Sequence, residues 1–252
     1  SDLRMENWLG KVAVVTGVSS GIGKAITKEL VGRGMTVVGL ARRETHLKEL
    51  SDDLQNSVGK FHSKTVDLTN EDDILAAFIW IEETLGATHL LINNAGVMVY
   101  ASLIDGKTED WMKQMNTQIV GTNVCTREAI KSMKKHGVND GIIININSVA
   151  GHYIPKPMYV PVMYTASKYA LSVISEGLRR ELIDQKSSIR VSSISPGLVR
   201  TEKVDAMPMF DTIPTLQLKD IASAVVFIIE SPPTVEIKEI IINPVHVEIR
   251  QS

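Results

Sequence analysis

The stretch "MYTASKYALSVISEGLRREL" (163–182) carries Tyr164 and Lys168 four residues apart, so a helix puts both side chains on one face. That face continues with Leu171, Ser175, Leu178 and Leu182, while Ala166, Ala170, Val173 and Gly177 line the opposite one. Glu176 and Arg180 supply only a narrow polar stripe. The pattern predicts a helix buried on two sides, with Lys168 held near the Tyr164 hydroxyl and away from bulk water. A tyrosine titrates near ~10 in isolation, and an adjacent cation can lower that by ~1–3 units. A phenol shifted in this way can exchange a proton with an alcohol or carbonyl oxygen near neutral pH. Ser148 can donate a second hydrogen bond to the same oxygen, and Asn116, in "WMKQMNTQIVGT", can hold a water behind the lysine. Taken singly, each residue also suits a structural role: a packing tyrosine, a lysine snorkelling to the surface, a strand-end serine, a core asparagine.

The elements that must position these residues alternate along the chain. "KVAVVT" (11–16), "MTVVGLA" (35–41), "FHSKTVDL" (61–68), "HLLINNAG" (89–96), "GIIININS" (141–148), "IRVSSISPG" (189–197) and "EIIIN" (239–243) read as strands. Helical periodicity falls between them at 21–33, around Ile74, Leu75, Phe78, Ile79 and Leu85, at 108–136, at 163–185 and in "KDIASAVVFIIE" (219–230). Strands buried on both faces with helices between them predict an α/β fold. The expected form is a single-domain Rossmann-type, doubly wound parallel sheet of about seven strands, with helices on both faces. No repeat, low-complexity tract or linker interrupts the pattern, so one domain over 5–252 is expected, with "SDLR" (1–4) before Met5 read as a vector-derived remnant.

Ligands of such sheets bind beyond the carboxyl ends of the strands, and the unusual residues fall there. The first strand runs into "TGVSSGIG", with Gly17, Gly21 and Gly23 spaced G-x-x-x-G-x-G. Glycines here allow a tight turn, close backbone approach to a pyrophosphate, and a helix N-terminus whose N–H groups face the anion. At the end of the second strand, where an acid would bind the ribose 2′-hydroxyl of NAD, stand Ala41, Arg42 and Arg43. No carboxylate repels a 2′-phosphate, and a guanidinium can grip one with two hydrogen bonds. Solvated loop charges are the competing reading of both arginines. NADP(H) is the expected cofactor, in preference to NAD(H). With a nicotinamide ribose in the cleft, the Lys168 ammonium can bond its hydroxyls while its charge favours the Tyr164 phenolate.

Composition narrows the field. The 252 residues, 44% hydrophobic, suit one large α/β domain or two small ones. A net charge of −2 without a basic block argues against nucleic acid and anionic membranes as partners. The six histidines are scattered without ligand spacing, so no metal site is expected. Cys125 is the single cysteine, which excludes an internal disulfide and reads as a small buried helix residue. No apolar run approaches the ~20 residues of a membrane span and no signal peptide is visible. A cytoplasmic location is expected.

The ordered set "TGVSSGIG", "NNAG", Asn116, Ser148, "YTASK" and "SPGLVRT" resembles the short-chain dehydrogenase/reductase family from about residue 10 to 245. The resemblance implies a catalytic tetrad of Asn116, Ser148, Tyr164 and Lys168. It implies cofactor contacts from Gly17, Ser19, Ser20, Gly21, Ile22 and Gly23 in the glycine-rich turn, and adenine contact near Asp67 and Leu68. Further contacts are implied at Asn94, Ala95 and Gly96, and around the nicotinamide at Pro196, Gly197, Val199 and Thr201. Two departures stand out. Family members preferring NADP often carry a base just before the second glycine, where this chain has Ser20, so that preference rests on Arg42 and Arg43. The Ser148–Tyr164 spacing of 16 is longer than usual, which predicts an enlarged cleft wall from "VAGHYIPKPMYVPVM".

"WLGKVAVVTG", "VVGLARR", "CTREAIKSMKKHGVNDGIIININS" and "EGLRREL" are similar to a carbonyl-reducing branch that includes insect farnesol dehydrogenases and a vertebrate keto-steroid reductase. That similarity implies interconversion of a hydrophobic alcohol, such as farnesol, and its aldehyde or ketone, or reduction of steroid and other apolar carbonyls. Ile154, Pro155, Met158, Tyr159, Val162 and Met163 form one candidate apolar wall; Leu198, Met207, Met209, Phe210 and Ile213 form the other. Such residues suit a large apolar ligand, and equally serve as plugs of the fold or a subunit contact. A non-catalytic dinucleotide-binding sensor and a hydrophobic-ligand carrier are the competing functions; the sensor has no need of Tyr164, Lys168 and Ser148 together, and the carrier none of "TGVSSGIG" or the arginines. The small-residue face of the 163–185 helix permits close helix packing, and relatives pair through it, so a homodimer or homotetramer is expected.

Overall fold

The computed structural model describes residues 6–155 and 160–245. Seven parallel strands, β1 (Val12–Thr16), β2 (Thr36–Ala41), β3 (Lys60–Thr65), β4 (Leu90–Asn93), β5 (Ile142–Ile146), β6 (Arg190–Pro196) and β7 (Glu239–Ile242), form one sheet in the order β3-β2-β1-β4-β5-β6-β7. The order reverses between β1 and β4, and a crevice opens at that point beyond the carboxyl ends of the strands. The five inner strands are buried along their whole length, as their β-branched runs predict. The edges differ from the expectation of burial on both faces. In β3 and β7 exposed residues recur between half-buried ones, because each edge has a neighbour on one side only.

Alternation along the strands divides the core in two. Ala13 and Val15 face α1 (Gly21–Gly32), α2 (Glu44–Leu54) and α8 (Leu218–Ile229), where Ile26, Leu30, Leu50, Val225 and Ile228 pack. Val12 and Val14 face α3 (Glu71–Leu85) and α5 (Gly121–Lys135), where Ile74, Phe78, Ile81, Cys125 and Met133 pack. Burial pushes the Cys125 thiol up to about 12, which matches the inert buried residue expected of it. Helix α2 is absent from the sequence reading, although Leu47, Leu50 and Leu54 fall at helical spacing and are buried. Its remaining residues are mostly polar and mask that short stripe. Helix α3 starts where the Asn70 side chain accepts a hydrogen bond from the Asp72 N–H (3.1 Å) and three acids fill the first turn.

The long helix expected over 108–136 is interrupted. It runs as α4 (Thr108–Met115), a π-helical turn (Asn116–Val120) and then α5. Helix α6 (Val162–Asp184) buries Lys168, Leu171, Ser175 and Leu182 against the sheet, as its first face predicts. The second face is not buried within the chain: Val173 is 72% exposed and Ala166 is exposed too. After β6, a bridge between Val199 and Leu216 closes a loop holding the short helix α7 (Glu202–Asp205) and a 3-10 turn at Pro208–Phe210. Among the described residues, no helix is long and apolar enough to cross a membrane.

Candidate functional site

A cavity of about 510 Å³ occupies the crevice. At one end, the turn from β1 to α1 depends on glycine. Gly17 and Gly21 adopt positive φ (74° and 57°), which costs side-chain-bearing residues energy. A Cβ on Gly17 would lie 2.8 Å from Ala95 Cα, and one on Gly23 would collide with Gly17 O and Asn94 Nδ2. Asn94 clamps the turn to β4: its Nδ2 donates to Thr16 O (2.8 Å) and Gly17 O (3.2 Å), while Thr16 Oγ1 accepts from the N–H groups of Asn94 and Ala95 (both 3.0 Å). Ser20 occupies the N-cap of α1 without its side chain capping the helix, and no acid lies in the first turn. The helix N–H groups therefore stay available to an anion in the cleft.

Arg43 crosses from the end of β2 to that turn. Its Nε and Nη2 donate to Ser19 Oγ (3.1 and 2.9 Å), and Nη2 donates to Ser20 Oγ (2.7 Å). A guanidinium thus occupies the place where Ser20 left a base missing. Arg42 lines the same cavity beside Asp67. Burial pushes the Asp67 carboxyl up, but the N–H and hydroxyl of Thr69, with the charges of Arg42 and Lys113, outweigh this and hold it below its ordinary value.

At the other end stand Tyr164 and Lys168. Lys168 is 6% exposed and its Nζ donates to Ile146 O (2.8 Å). Burial lowers its pKa to about 8. The Nζ lies 5.7 Å from the centre of the Tyr164 ring. Burial pushes the Tyr164 phenol above its ordinary value, and the hydrogen bond with Ser148 only partly offsets this. The expected lowering of the phenol by Lys168 is thus corrected for the chain by itself, because loss of hydration outweighs the neighbours' help. Ser148 Oγ accepts from the Ala150 N–H (3.1 Å), which caps the 3-10 turn Val149–Gly151 and leaves the hydroxyl hydrogen free to donate.

Three successive residues of the β5 end bind the helix that carries Tyr164. Asn145 Nδ2 donates to Ser175 Oγ (2.9 Å), Ile146 O accepts from Lys168, and Asn147 Nδ2 donates to Ser172 Oγ (2.9 Å). Asn145 also accepts from Asn93 Nδ2 (2.9 Å), which reaches Thr126 Oγ1 as well (2.9 Å). The roles of Asn93, Asn145 and Asn147 are missing from the sequence reading. The signal was the "ININS" pattern, since asparagines in an otherwise apolar buried strand must find partners.

The π-helical turn contributes Thr117 and Gln118 to the cleft, whereas Asn116 is not among its lining residues. The Gly121 N–H reaches back five residues to Asn116 O, and the wider turn shifts which residues face the crevice. Gln118 is 2% exposed and neither its Oε1 nor its Nε2 has a partner among the described residues. Asn147 Oδ1 is likewise buried and unpaired. Unpaired buried amides cost about 1–3 kcal/mol each, so their presence in one cleft calls for a polar occupant.

Ser19, Ser20, Gly21, Ile22, Leu68, Ala95, Gly96 and Thr201 also line the cavity, whereas Gly23, Pro196, Gly197 and Val199 do not. Val199 packs in the core instead, and Gly197 sits tight against Asn243, its N–H donating to Ile242 O (2.7 Å). Val97, Met98, Glu202 and Lys203 line the cleft without having been singled out from the sequence. Of the candidate apolar walls, Phe210 is a buried plug, while Ile154 and Val162 are 58% and 46% exposed. Met158, Tyr159 and the side chain of Met209 lie outside the described residues.

The comparisons with known proteins agree on a family. The model of the short chain dehydrogenase family matches residues 11–209. The chain is 38% identical to dehydrogenase/reductase SDR family member 11 of Mus musculus over 251 residues, covering 95% of this chain and 96% of that one. It is 40% identical to farnesol dehydrogenase of Aedes aegypti over 246 residues, covering 96% and 98%. The structure superposes on serine dehydrogenase complexed with NADP+ with a TM-score of 0.84 at 26% identity, covering 96% and 98% of the two chains.

Proposed function

The chain belongs to the short-chain dehydrogenase family, and on that premise we propose that it interconverts a hydrophobic alcohol and its aldehyde or ketone with NADP(H). The observation that carries this reading is one cleft lined by Tyr164 and Lys168, with Ser148 hydrogen-bonded to the Tyr164 phenol, and by Arg42 and Arg43. A dinucleotide offers the groups this cleft calls for: phosphates toward the glycine turn and arginines, hydroxyls and a carboxamide toward the unpaired polar atoms. When bound, the nicotinamide supplies or takes the hydride at the substrate carbon.

The side chains handle the proton. Tyr164, held protonated at neutral pH by burial, gives its proton to the carbonyl oxygen during reduction, and Ser148 donates a second hydrogen bond to that oxygen. Lys168 anchors the ribose hydroxyls and stabilises the phenolate left behind. Asn116 holds a water behind the lysine, as the family resemblance implies, and Gln118 brings a further unpaired amide to the cleft. Alcohol oxidation needs the phenolate, so its rate rises with pH through the tyrosine pKa. Val97 and Met98 present apolar surface, and the similarity to farnesol dehydrogenase supports an isoprenoid alcohol or aldehyde as the substrate class.

The exposed face of α6 supports a homo-oligomer. Val173, Ile174, Gly177 and Leu178 line a groove of about 580 Å³ with Asn123 and Ile130 of α5. A Cβ on Gly177 would meet nothing within 4 Å among the described residues. A mid-helix glycine costs roughly 1 kcal/mol against alanine, and close approach of a second copy supplies a reason for it.

The test is NADPH oxidation with a panel of apolar aldehydes and ketones, farnesal among them, by the wild type and by Tyr164→Phe. The variant should still bind NADPH but lose turnover by about 10²–10⁴-fold, the loss typical of a general acid. A Tyr164→Phe protein with near-native turnover returns the residue to a packing role. Binding of NADPH with no turnover of any carbonyl favours a cofactor sensor.

A further inference from the structure

Four residues beyond Ser148, the chain is tied down by a cluster outside the machinery described above. His152 Nε2 lies 2.7 Å from Glu239 Oε1 and 3.3 Å from Ser195 Oγ, and Ser195 Oγ donates to the same Glu239 oxygen (2.6 Å). The three residues come from three separate segments: the end of the turn after β5, the interior of β6 and the start of β7. Ser195 is fully buried, while His152 and Glu239 keep about a third of their side-chain surface.

A serine, a histidine and an acid in contact suggest a nucleophile relay, but the geometry excludes it. Such a relay needs the acid on one ring nitrogen and the serine on the other. Here both meet Nε2. Nε2 must carry a hydrogen to donate to Glu239, so it cannot accept a proton from Ser195, whose own hydrogen already points at the carboxylate. The cluster is a tether: one carboxylate oxygen receives two donors, and bonds to a carboxylate are stronger than those between neutral groups.

The tether acts on Ser148. Residues 148–152 form a single tight turn: Ser148 Oγ accepts from the Ala150 N–H (3.1 Å), Gly151 N–H donates to Ser148 O (2.8 Å), and His152 N–H donates to Val149 O (3.0 Å). The front of the turn is fixed by β5. Its middle is wedged, since a Cβ on Gly151 would meet Asn147 Nδ2 and Lys168 O at 2.9 Å. His152 fixes the far end. Ser195 also precedes Pro196–Gly197 directly, so the same cluster joins the turn to the end of β6.

We propose that His152 is a positioning residue for the proposed carbonyl–alcohol chemistry: held by Glu239 and Ser195, it locks the turn that keeps the Ser148 hydroxyl against the Tyr164 phenol. The inference rests on the function proposed above. Because the Ser148 hydrogen bond lowers the tyrosine pKa, releasing the turn raises that pKa, which a purely structural tether would leave alone.

The experiment compares the wild type, His152→Ala, His152→Gln and Glu239→Gln, each with and without Tyr164→Phe. Subtracting the Tyr164→Phe ultraviolet titration isolates ionisation of that phenol without any substrate, and turnover is followed on whichever carbonyl the wild type reduces. His152→Ala should raise the phenol pKa and lower kcat by about 10- to 100-fold, the cost of slight misplacement at a reacting centre, with NADPH affinity unchanged. His152→Gln keeps an N–H donor at the same reach and should restore both; Glu239→Gln keeps an acceptor oxygen and should fall between. An unmoved phenol pKa in His152→Ala overturns the proposal, as does a loss that His152→Gln fails to repair. Should His152→Ala not fold, an unmoved pKa in folded Glu239→Gln overturns it equally. Wild-type turnover in Tyr164→Phe would instead overturn the functional reading, which keeps the two failures apart.

Discussion

Arg43, for which a solvated loop charge was the competing reading, acquires a place. Its guanidinium donates to Ser19 and Ser20 across the mouth of the glycine turn, which gathers a planar donor group and two hydroxyls at one place. Arg42 adds its charge from the same cavity. On the proposed preference for NADP(H), Arg42→Ala and Arg43→Ala should each weaken NADPH by about 10- to 100-fold, the worth of hydrogen bonds to a charged group. NADH should weaken by less than about 3-fold, because it lacks the phosphate those bonds would serve. Fluorescence titration of both cofactors measures this, and equal losses for the two would remove the arginines as the source of selectivity. Ala41→Asp should act in the same sense by placing a carboxylate against the phosphate.

The π-helical turn between α4 and α5 decides which amide of "NTQIV" enters the cleft. An uninterrupted α-helix keeps residues three or four apart on one face; a turn closed from Gly121 back to Asn116 inserts an extra residue and rotates that face. Gln118 is thereby buried with both amide atoms unpaired. Gln118→Leu should leave the cofactor-free protein as stable or more so, by up to about 1–3 kcal/mol, since it removes unsatisfied polar atoms from the interior. Its turnover should fall by about 10-fold or more. Melting temperature and steady-state kinetics measure both effects, and wild-type turnover in Gln118→Leu would remove Gln118 from the site.

For the molecule as a whole, the unanswered surface is the face of α6 away from the sheet. Leu171 and Leu182 are buried by the chain's own β-sheet, but Val173 is left 72% exposed next to an unfilled space at Gly177. If a second copy covers this face, Val173→Arg should bury a charge without a partner and dissociate the assembly. Sedimentation should then shift from an oligomer to a particle of 27.7 kDa, with Tyr164 and Lys168, on the other side of the helix, left in place. A wild-type protein that sediments as a 27.7 kDa monomer at micromolar concentration would end the proposal.

Much of this architecture was legible in the chain because local patterns carry it. Runs such as "VAVVT" and "IIINI" cannot face water on either side, so they become the inner strands, and glycines at 17 and 21 anticipate the positive φ found there. Tyr164 and Lys168 four apart had to share a face of a helix, and that face is the one turned to the sheet. What the sequence could not decide depends on groups far apart in the chain. Whether burial or a neighbouring charge sets the Tyr164 pKa depends on how much water the packed fold excludes, and burial prevails. Whether Asn116 or Gln118 faces the cleft depends on one backbone bond inside a helix that sequence periodicity treats as continuous. The meeting of His152 with Glu239 spans 87 residues, and only the parallel order β5-β6-β7 brings them together. Side-chain periodicity is a local property and survives in the sequence, whereas desolvation and pairing across strands exist only once the sheet has closed around them.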